Sequence, residues 1–126
     1  MFEEGKPLEV QFFDGHVRRF KTLMELVFFD EGGTGATFRV PAGTESDGAS
    51  VPRGLWNFAS PYGVYLKSAV LHDYLYQQGT MSRKQADAIF LRAMEGQNVG
   101  KLKRRVMHGF VRGFGGFIWR RRHGKK

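Results

Sequence analysis

Acidic side chains are sparse in the middle of this sequence, and their positions suggest chemistry. Between residues 46 and 94 only Asp47, Asp73 and Asp87 are acidic, and His72 directly precedes Asp73. A carboxylate that holds an imidazole ring fixes its tautomer and supports its action as a base near neutral pH. These residues are therefore candidates for acid–base chemistry, provided that folding brings the histidine against one of the acids.

Two predicted helices can bring His72 and Asp87 together. The hydrophobic pattern predicts helices over Val64–Gln78 and Ser82–Glu95. Asp87 lies at the edge of the second helix's apolar face, and burying a carboxylate there costs several kcal/mol unless it is paired. We therefore expect His72 to be its partner. Two simpler interpretations stay open: Asp87 pairs with Arg83 four residues earlier, and His72 is only a core histidine with its hydrogen bonds satisfied.

A second pairing is expected between the first helix and the loop before it. Asp73 projects about 100° around the helix axis from His72, so it can face residues 41–63, the Gly- and Pro-rich loop that carries Asp47. Two carboxylates with backbone carbonyls form an all-oxygen site, which suits Ca²⁺ better than Zn²⁺. The chain has no cysteine, which excludes disulfides and thiolate metal sites.

The helices and strands predicted around these residues indicate an α+β fold in a single domain, 1–126. The second helix begins at a capping box formed by Ser82 and Gln85. A third helix is predicted over Lys101–Phe114, ended by Gly113, Gly115 and Gly116. Short antiparallel strands precede the helices, with a hairpin signal at Asp14–Gly15. The predicted strands are Leu8–Phe13, Met24–Phe29 and Thr37–Val40. The expected divisions are a β segment (1–45), a helical core (46–116) and a basic tail (117–126).

Positive charge is confined to the last quarter of the chain. Residues 1–95 hold ten Lys/Arg and twelve Asp/Glu, whereas residues 96–126 hold ten Lys/Arg and no acid. Such a segment suits an anionic partner, either a phosphate backbone or acidic lipid, although a solvated tail is the simpler interpretation. We expect no transmembrane segment. The acidic start of the sequence lacks the features of a signal peptide.

The order of these motifs resembles the secreted prokaryotic phospholipases A2. Those enzymes carry a loop aspartate, a Pro-aromatic-Gly, a His-Asp-x-x-Tyr helix and an Asp-x-x-Phe on the facing helix. The corresponding segments here are Ser46-Asp-Gly-Ala-Ser50, Pro61-Tyr-Gly63, Leu71-His-Asp-Tyr-Leu-Tyr76 and Asp87-Ala-Ile-Phe90. The resemblance covers residues 46–116 and implies a phospholipase A2-like core of three helices. The secreted enzymes have cysteines where this chain has Ala49 and Ala69, which agrees with a reducing compartment.

The resemblance implies a role for each matching residue. His72 would be the general base that activates water, Asp87 would orient it, and Tyr76 would support the site by hydrogen bonding. Asp73 and Asp47 would bind Ca²⁺ through their side chains, with the carbonyl of Gly48 as a further ligand.

The segments Phe38-Arg-Val-Pro-Ala-Gly43 and Asp47-Gly-Ala-Ser-Val-Pro52, with the His-Asp helix, are also similar to a family of small proteins encoded by tailed phages and prophages. That similarity implies a phage origin, with the host cytoplasm or the virion as the expected location. One hypothesis is a Ca²⁺-dependent hydrolase of phospholipid or another cell-envelope ester. The alternative is a non-catalytic virion or accessory protein that binds DNA or a virion partner. The residues expected to contact membrane or nucleic acid are Trp119, Arg120, Arg121 and Arg122.

Overall fold

The computed structural model describes residues 2–3, 7–13, 19–47, 64–96 and 101–123. Within these ranges, short antiparallel strands come first and three helices follow, which confirms the predicted α+β arrangement. The strands are β1 (Val10–Phe12), β2 (Phe20–Thr22), β3 (Leu26–Phe29), β4 (Thr37–Val40) and β5 (Glu45–Ser46). The helices are α1 (Val64–Gln78), α2 (Arg83–Gly96) and α3 (Lys101–His123).

The strands form two small antiparallel sheets. One sheet has the order β1-β2-β5, and the other pairs β3 with β4. The antiparallel pairing of β1 with β2 agrees with the hairpin predicted around residues 14 and 15, which themselves lie outside the described ranges. The strands β2 and β5 were not predicted, since two or three residues are too few to show a period of two. The strand β5 matters most here, because it leads directly to Asp47 and packs against α1.

The first two helices agree closely with the sequence prediction. The helix α1 has the predicted bounds, and α2 begins one residue later than expected because Ser82 serves as its N-cap. The Gln85 amide donates to Ser82 Oγ at 3.1 Å, and the Ser82 amide donates to Gln85 Oε1 at 3.0 Å. This reciprocal pair confirms the capping box.

The third helix is longer than predicted. It runs from Lys101 to His123 without interruption, so the expectation that the glycines at 113, 115 and 116 end it is wrong. Residues 117–123 of the expected basic tail are therefore helical. Each glycine disfavours a helix by about 1 kcal/mol, but Met107 and Val111 bury this helix against α2. In the described part of the chain, no helix combines the length and apolar character needed to cross a membrane.

The core lies where α1 and α2 pack on each other and on the strands. Its buried side chains come from all three helices and both sheets, among them Phe20, Phe28, Leu71, Phe90 and Met107. The buried polar side chains include His72 and Asp87, which lie among these apolar residues. A buried imidazole and carboxylate are the unusual feature of the core, because unpaired polar groups there are costly.

Candidate functional site

Asp87 is the centre of a buried polar network that joins the three helices. Its side chain is fully buried on the inner face of α2. Two groups from α1 donate to Oδ1: His72 Nε2 lies at 2.6 Å and the Tyr76 hydroxyl at 2.7 Å. Arg112 of α3 donates to Oδ2 from Nη1 at 2.9 Å. The contact of His72 with Asp87 that helix packing predicted is therefore present, and Tyr76, expected to support the site by hydrogen bonding, donates to the same carboxylate.

The spacing of α1 explains why two donors reach the same oxygen. His72 and Tyr76 are four residues apart and thus lie on one face of the helix, one turn from each other. Their ring centroids are 4.3 Å apart, and the ring of Phe90 lies 4.8 Å from that of His72 on the α2 side. The imidazole is therefore held between aromatic rings, with its orientation fixed by Asp87.

The ionisation of the network follows from its contacts. Burial acts to raise the pKa of Asp87, but hydrogen bonds from His72, Tyr76 and Arg112 outweigh it, and the pKa lies below the usual 3.8. Burial and the neighbouring carboxylate raise the pKa of Tyr76 well above 10.0. Asp87 is consequently an anion and Tyr76 a neutral donor across the physiological range.

This ionisation fixes the tautomer of His72. An ionised carboxylate only accepts hydrogen bonds, so Nε2 must carry the proton. In a neutral ring, Nδ1 then presents a lone pair. That atom is buried and has no hydrogen-bond partner among the described residues, and the whole side chain is only 2% exposed. A buried acceptor without a partner calls for a physical explanation, and a water or substrate group donating to Nδ1 would supply one.

The alternative pairing of Asp87 with Arg83 is also present. Arg83 Nη1 lies 3.6 Å from Asp87 Oδ2, four residues away on the same helix. Arg83 also donates to the backbone oxygen of Arg112 at 3.0 Å. The two interpretations of Asp87 were therefore not exclusive, because its two oxygens face different partners.

Sequence reasoning missed Arg112 and the neighbouring His108. Both lie on α3, next in sequence to the buried Met107 and Val111. A polar residue beside the apolar stripe of a helix lies near the boundary of the core, and this position was the signal available in the sequence. His108 is half-buried, and burial lowers its pKa, with the charge of Asp87 opposing that shift.

The expected contact between α1 and the preceding loop is also confirmed. Asp73 Oδ2 accepts hydrogen bonds from the Ser46 hydroxyl at 2.6 Å and from the Asp47 amide at 3.1 Å. His72 and Asp73 thus face different neighbours, as their angular separation predicted. The described residues contain no group of three side chains able to hold a metal, and Gly48 lies outside them. The Ca²⁺ site stays a prediction.

The residues expected to contact membrane or nucleic acid belong to the end of α3. Arg120 is exposed. The side chains of Trp119, Arg121 and Arg122 lie outside what the structure describes, although their backbone is helical.

Comparison with known proteins identifies a family for most of the chain. Residues 21–111 match the family described as "Protein of unknown function (DUF1353)". The chain belongs to this DUF1353 family. The DUF1353 region includes His72, Asp73, Tyr76 and Asp87, whereas Arg112 falls one residue beyond it.

A relative extends the comparison without assigning a function. The chain is 32% identical over 107 residues to "Uncharacterized protein y4jT" of Sinorhizobium fredii (strain NBRC 101917 / NGR234). The match covers 83% of this chain but 32% of the relative, so this DUF1353 protein spans about a third of that length. No solved structure matches the chain. Neither named match is described as a phage protein or a phospholipase, and both resemblances stay hypotheses.

Proposed function

We propose that this DUF1353 protein is a hydrolase in which His72 is the general base and Asp87 its orienting partner. The observation that carries the proposal is the asymmetry of the His72 ring. Nε2 is anchored on a buried anion at 2.6 Å, whereas Nδ1 has no partner among the described residues. A structural histidine gains most by satisfying both nitrogens, so an unused buried lone pair favours a chemical role.

The chemistry that follows uses only groups of this chain. Nδ1 removes a proton from a water molecule as the water oxygen bonds to an ester carbonyl carbon. The carbonyl electron pair moves to oxygen, and collapse of that adduct breaks the bond to the leaving alcohol. The proton on Nδ1 passes to the leaving oxygen. Asp87 stabilises the imidazolium meanwhile, and Tyr76 and Arg112 hold Asp87 in place.

Calcium is the cofactor that the resemblance suggests. Support comes from the hydrogen bond of the Asp47 backbone amide to the Asp73 carboxylate, which makes the two aspartates neighbours. This donor chemistry fits a hard cation, with the Gly48 carbonyl as the third proposed ligand. A bound Ca²⁺ would polarise the ester carbonyl.

The proposed substrate is an anionic phospholipid or another ester of the cell envelope. Support comes from the likeness of residues 46–116 to phospholipases A2 and from the basic helix α3. The proposed source is a phage or prophage genome, on the sequence similarity described above.

The decisive experiment measures fatty-acid release from phosphatidylglycerol vesicles, with Ca²⁺ and with a chelator. His72→Gln keeps side-chain volume better than His72→Ala, which matters because the site is buried. We expect this variant to lose about 10²-fold or more of the calcium-dependent rate, the usual contribution of a general base. Each assay is run below the variant's unfolding temperature, measured by circular dichroism.

His108→Gln is the matched control. It also removes a histidine near Asp87, but one that has no hydrogen bond to Asp87 among those of the described residues. We expect it to keep most of the activity. Equal rates for His72→Gln and the unchanged protein, or no turnover of any ester by the unchanged protein, would contradict the proposal.

A second candidate is a non-catalytic protein that binds DNA through α3. The observation that favours it is charge: the continuous helix Lys101–His123 carries eight Lys/Arg and no acid. In this alternative the Asp87 network only stabilises the helices. Replacing Arg120, Arg121 and Arg122 by Gln should reduce the slope of log K against log salt for duplex DNA by about 3. An unchanged slope in a fluorescence titration argues against contact by these arginines.

A further inference from the structure

A cleft on the other side of Asp87 is distinct from the His72 side of the network. It has a volume of about 670 Å³ and is lined by the segment 79–85, which leads into α2, together with Arg112 of α3. Three of its lining side chains are cationic: Arg83, Lys84 and Arg112. None is acidic. The lining therefore has the charge of an anion-binding surface.

The arginines in this cleft carry more positive charge than their partner neutralises. Both guanidinium groups approach one oxygen, Asp87 Oδ2, at 3.6 Å for Arg83 and 2.9 Å for Arg112. Asp87 is the only carboxylate in an ion pair with either of them among the described residues. One of the two positive charges is thus left uncompensated, and Lys84 adds a third. Like charges held this close favour a bound anion.

Hydrogen-bond capacity leads to the same conclusion. A guanidinium group has five N–H donors. In the described part of the structure, Arg83 uses Nη1 toward Asp87 and the backbone oxygen of Arg112 and also hydrogen-bonds the Tyr76 hydroxyl, and Arg112 uses Nη1 toward Asp87. The remaining donors of two adjacent guanidinium groups match the oxygens of a phosphate, which arginine binds through paired hydrogen bonds.

The N-terminus of α2 is not itself the anion site. Its capping box already engages the amides of Ser82 and Gln85. The side chains of Arg83, Lys84 and Arg112 supply the site, and the helix end only places the first two of them at its rim.

We propose that this cleft, lined by Arg83, Lys84 and Arg112, binds a phosphate group. The two sides of the network then communicate through one carboxylate. Oδ1 of Asp87 holds His72 and Tyr76, and Oδ2 holds the arginines. A phosphate that draws the arginines toward itself weakens their hold on Oδ2 and leaves more of the carboxylate's charge to His72. The cleft is thereby a ligand site that is coupled to the proposed base.

The test is a titration of the ¹⁵N-labelled protein with inorganic phosphate, followed by amide shifts, at constant ionic strength maintained with chloride. We expect saturable shifts centred on Gly79, Lys84 and Arg112. The double variant Arg83→Gln/Lys84→Gln retains the Arg112–Asp87 pair, and we expect it to bind phosphate about ten-fold more weakly or worse.

Lys101→Gln is the matched control, because Lys101 is an exposed cation on α3 about 16 Å along the helix from Arg112. It should bind phosphate like the unchanged protein. Shifts that do not saturate, or equal affinity in the double variant, would overturn the proposal. Phosphate binding needs no ester hydrolysis, so the outcome is independent of whether His72 is a catalytic base.

A second titration distinguishes a phospholipid headgroup from free phosphate as the bound group. Dihexanoyl phosphatidylglycerol is titrated as a monomer and then displaced with inorganic phosphate. Shifts at the same amides that phosphate reverses assign the cleft to a phospholipid headgroup. Binding of inorganic phosphate alone assigns it to a free phosphate. Absence of both kinds of binding refutes the site.

Discussion

The carboxylate of Asp87 shows how a buried charge can be tolerated in a small core. Moving a carboxylate out of water costs several kcal/mol. Here that cost is offset by donors from His72, Tyr76 and Arg112, each within 2.9 Å, and by Arg83 at a longer distance. Hydrogen bonds to a charged group contribute about 1.5–3 kcal/mol each. Removing any one of these donors should therefore lower the free energy of unfolding, so each donor can be tested by substitution.

Removing the hydroxyl of Tyr76 should weaken the fold measurably. We expect Tyr76→Phe to lower the free energy of unfolding by about 1.5–3 kcal/mol, because Asp87 loses one donor without gaining water. Urea unfolding monitored by circular dichroism measures this change. Tyr74→Phe on the same helix is the control: no hydrogen bond of its hydroxyl occurs within the described residues, so we expect a change below about 0.5 kcal/mol. Equal losses in both variants would contradict the assigned role of Tyr76.

The residues on α1 and α2 could be predicted, whereas Arg112 could not. His72, Tyr76 and Asp87 lie on neighbouring helices joined by a short turn, so helical spacing alone places them on facing surfaces. Arg112 is 25 residues from Asp87 in sequence, on a third helix. Its contribution depends on how that helix is rotated against α2, and a single-sequence pattern does not give that angle. The contact of Asp73 with the loop was predictable because Asp73 adjoins His72.

The helix α3 shows where a local rule fails. Glycines at 113, 115 and 116 predicted an end to the helix, but the structure continues it to His123. Helix propensity is a weak preference that tertiary contacts override, and the buried Met107 and Val111 supply such contacts. The glycines should nevertheless cost stability, because they add chain entropy to the unfolded state.

Replacing two of the helix glycines with alanine should therefore stabilise the protein. A Cβ atom added at Gly109 or Gly113 meets no atom within 4 Å. We expect Gly109→Ala/Gly113→Ala to raise the free energy of unfolding by about 1–2 kcal/mol, measured by urea denaturation. Gly43→Ala is the contrasting control. Its φ of +88° disfavours any side chain, and we expect a loss of about 1–2 kcal/mol. No gain in the double variant would mean that this helix is frayed in solution.

The sequence predicted the α+β class of the fold but not which strands pair with each other. The pattern located Thr37–Val40 correctly and placed the strands before the helices. It did not show that the described strands form two sheets, because β2 and β5 are too short to be recognised apart from the strands they pair with. Backbone pairing between Phe20 and Ser46 spans 26 residues. Such long-range pairs are set by how the layers pack, and a short segment carries no signal of them.

The sheet and helix layers are also joined by an ion pair that the sequence did not reveal. Arg92 of α2 binds both oxygens of Asp30, at 2.8 and 2.9 Å, in the turn after β3. The amide and hydroxyl of Thr34 donate to the same carboxylate. The hydrogen bond from Arg92 chiefly lowers the pKa of Asp30, and burial only partly opposes it, so the pKa falls from 3.8 to about 2. Asp30 therefore stabilises the fold while it is ionised.

The direction of the pH dependence follows from that pKa. Because the folded value lies below the unfolded value, the stabilisation is complete above pH 3.8 and is lost as the pH falls toward about 2. Gly33→Ala isolates the contribution of the Asp30–Arg92 pair, since the Cβ of the new alanine would occupy the position of the Arg92 guanidinium. We expect it to lower the free energy of unfolding by about 2 kcal/mol near pH 6. The difference from the unchanged protein should shrink steadily between pH 4 and pH 2, in urea unfolding curves.

Gly32→Ala separates this ion pair from a general effect on the turn. A Cβ at Gly32 meets nothing within 4 Å, so this variant should lose no stability, and its difference from the unchanged protein should stay constant with pH. The same comparison in an Arg92→Ala background tests the mechanism further, because Gly33→Ala has no guanidinium left to displace there. The Asp30–Arg92 pair does not hold the two layers together if Gly33→Ala lowers the free energy of unfolding as much without Arg92 as with it. The same conclusion follows if that loss stays constant from pH 6 to pH 2.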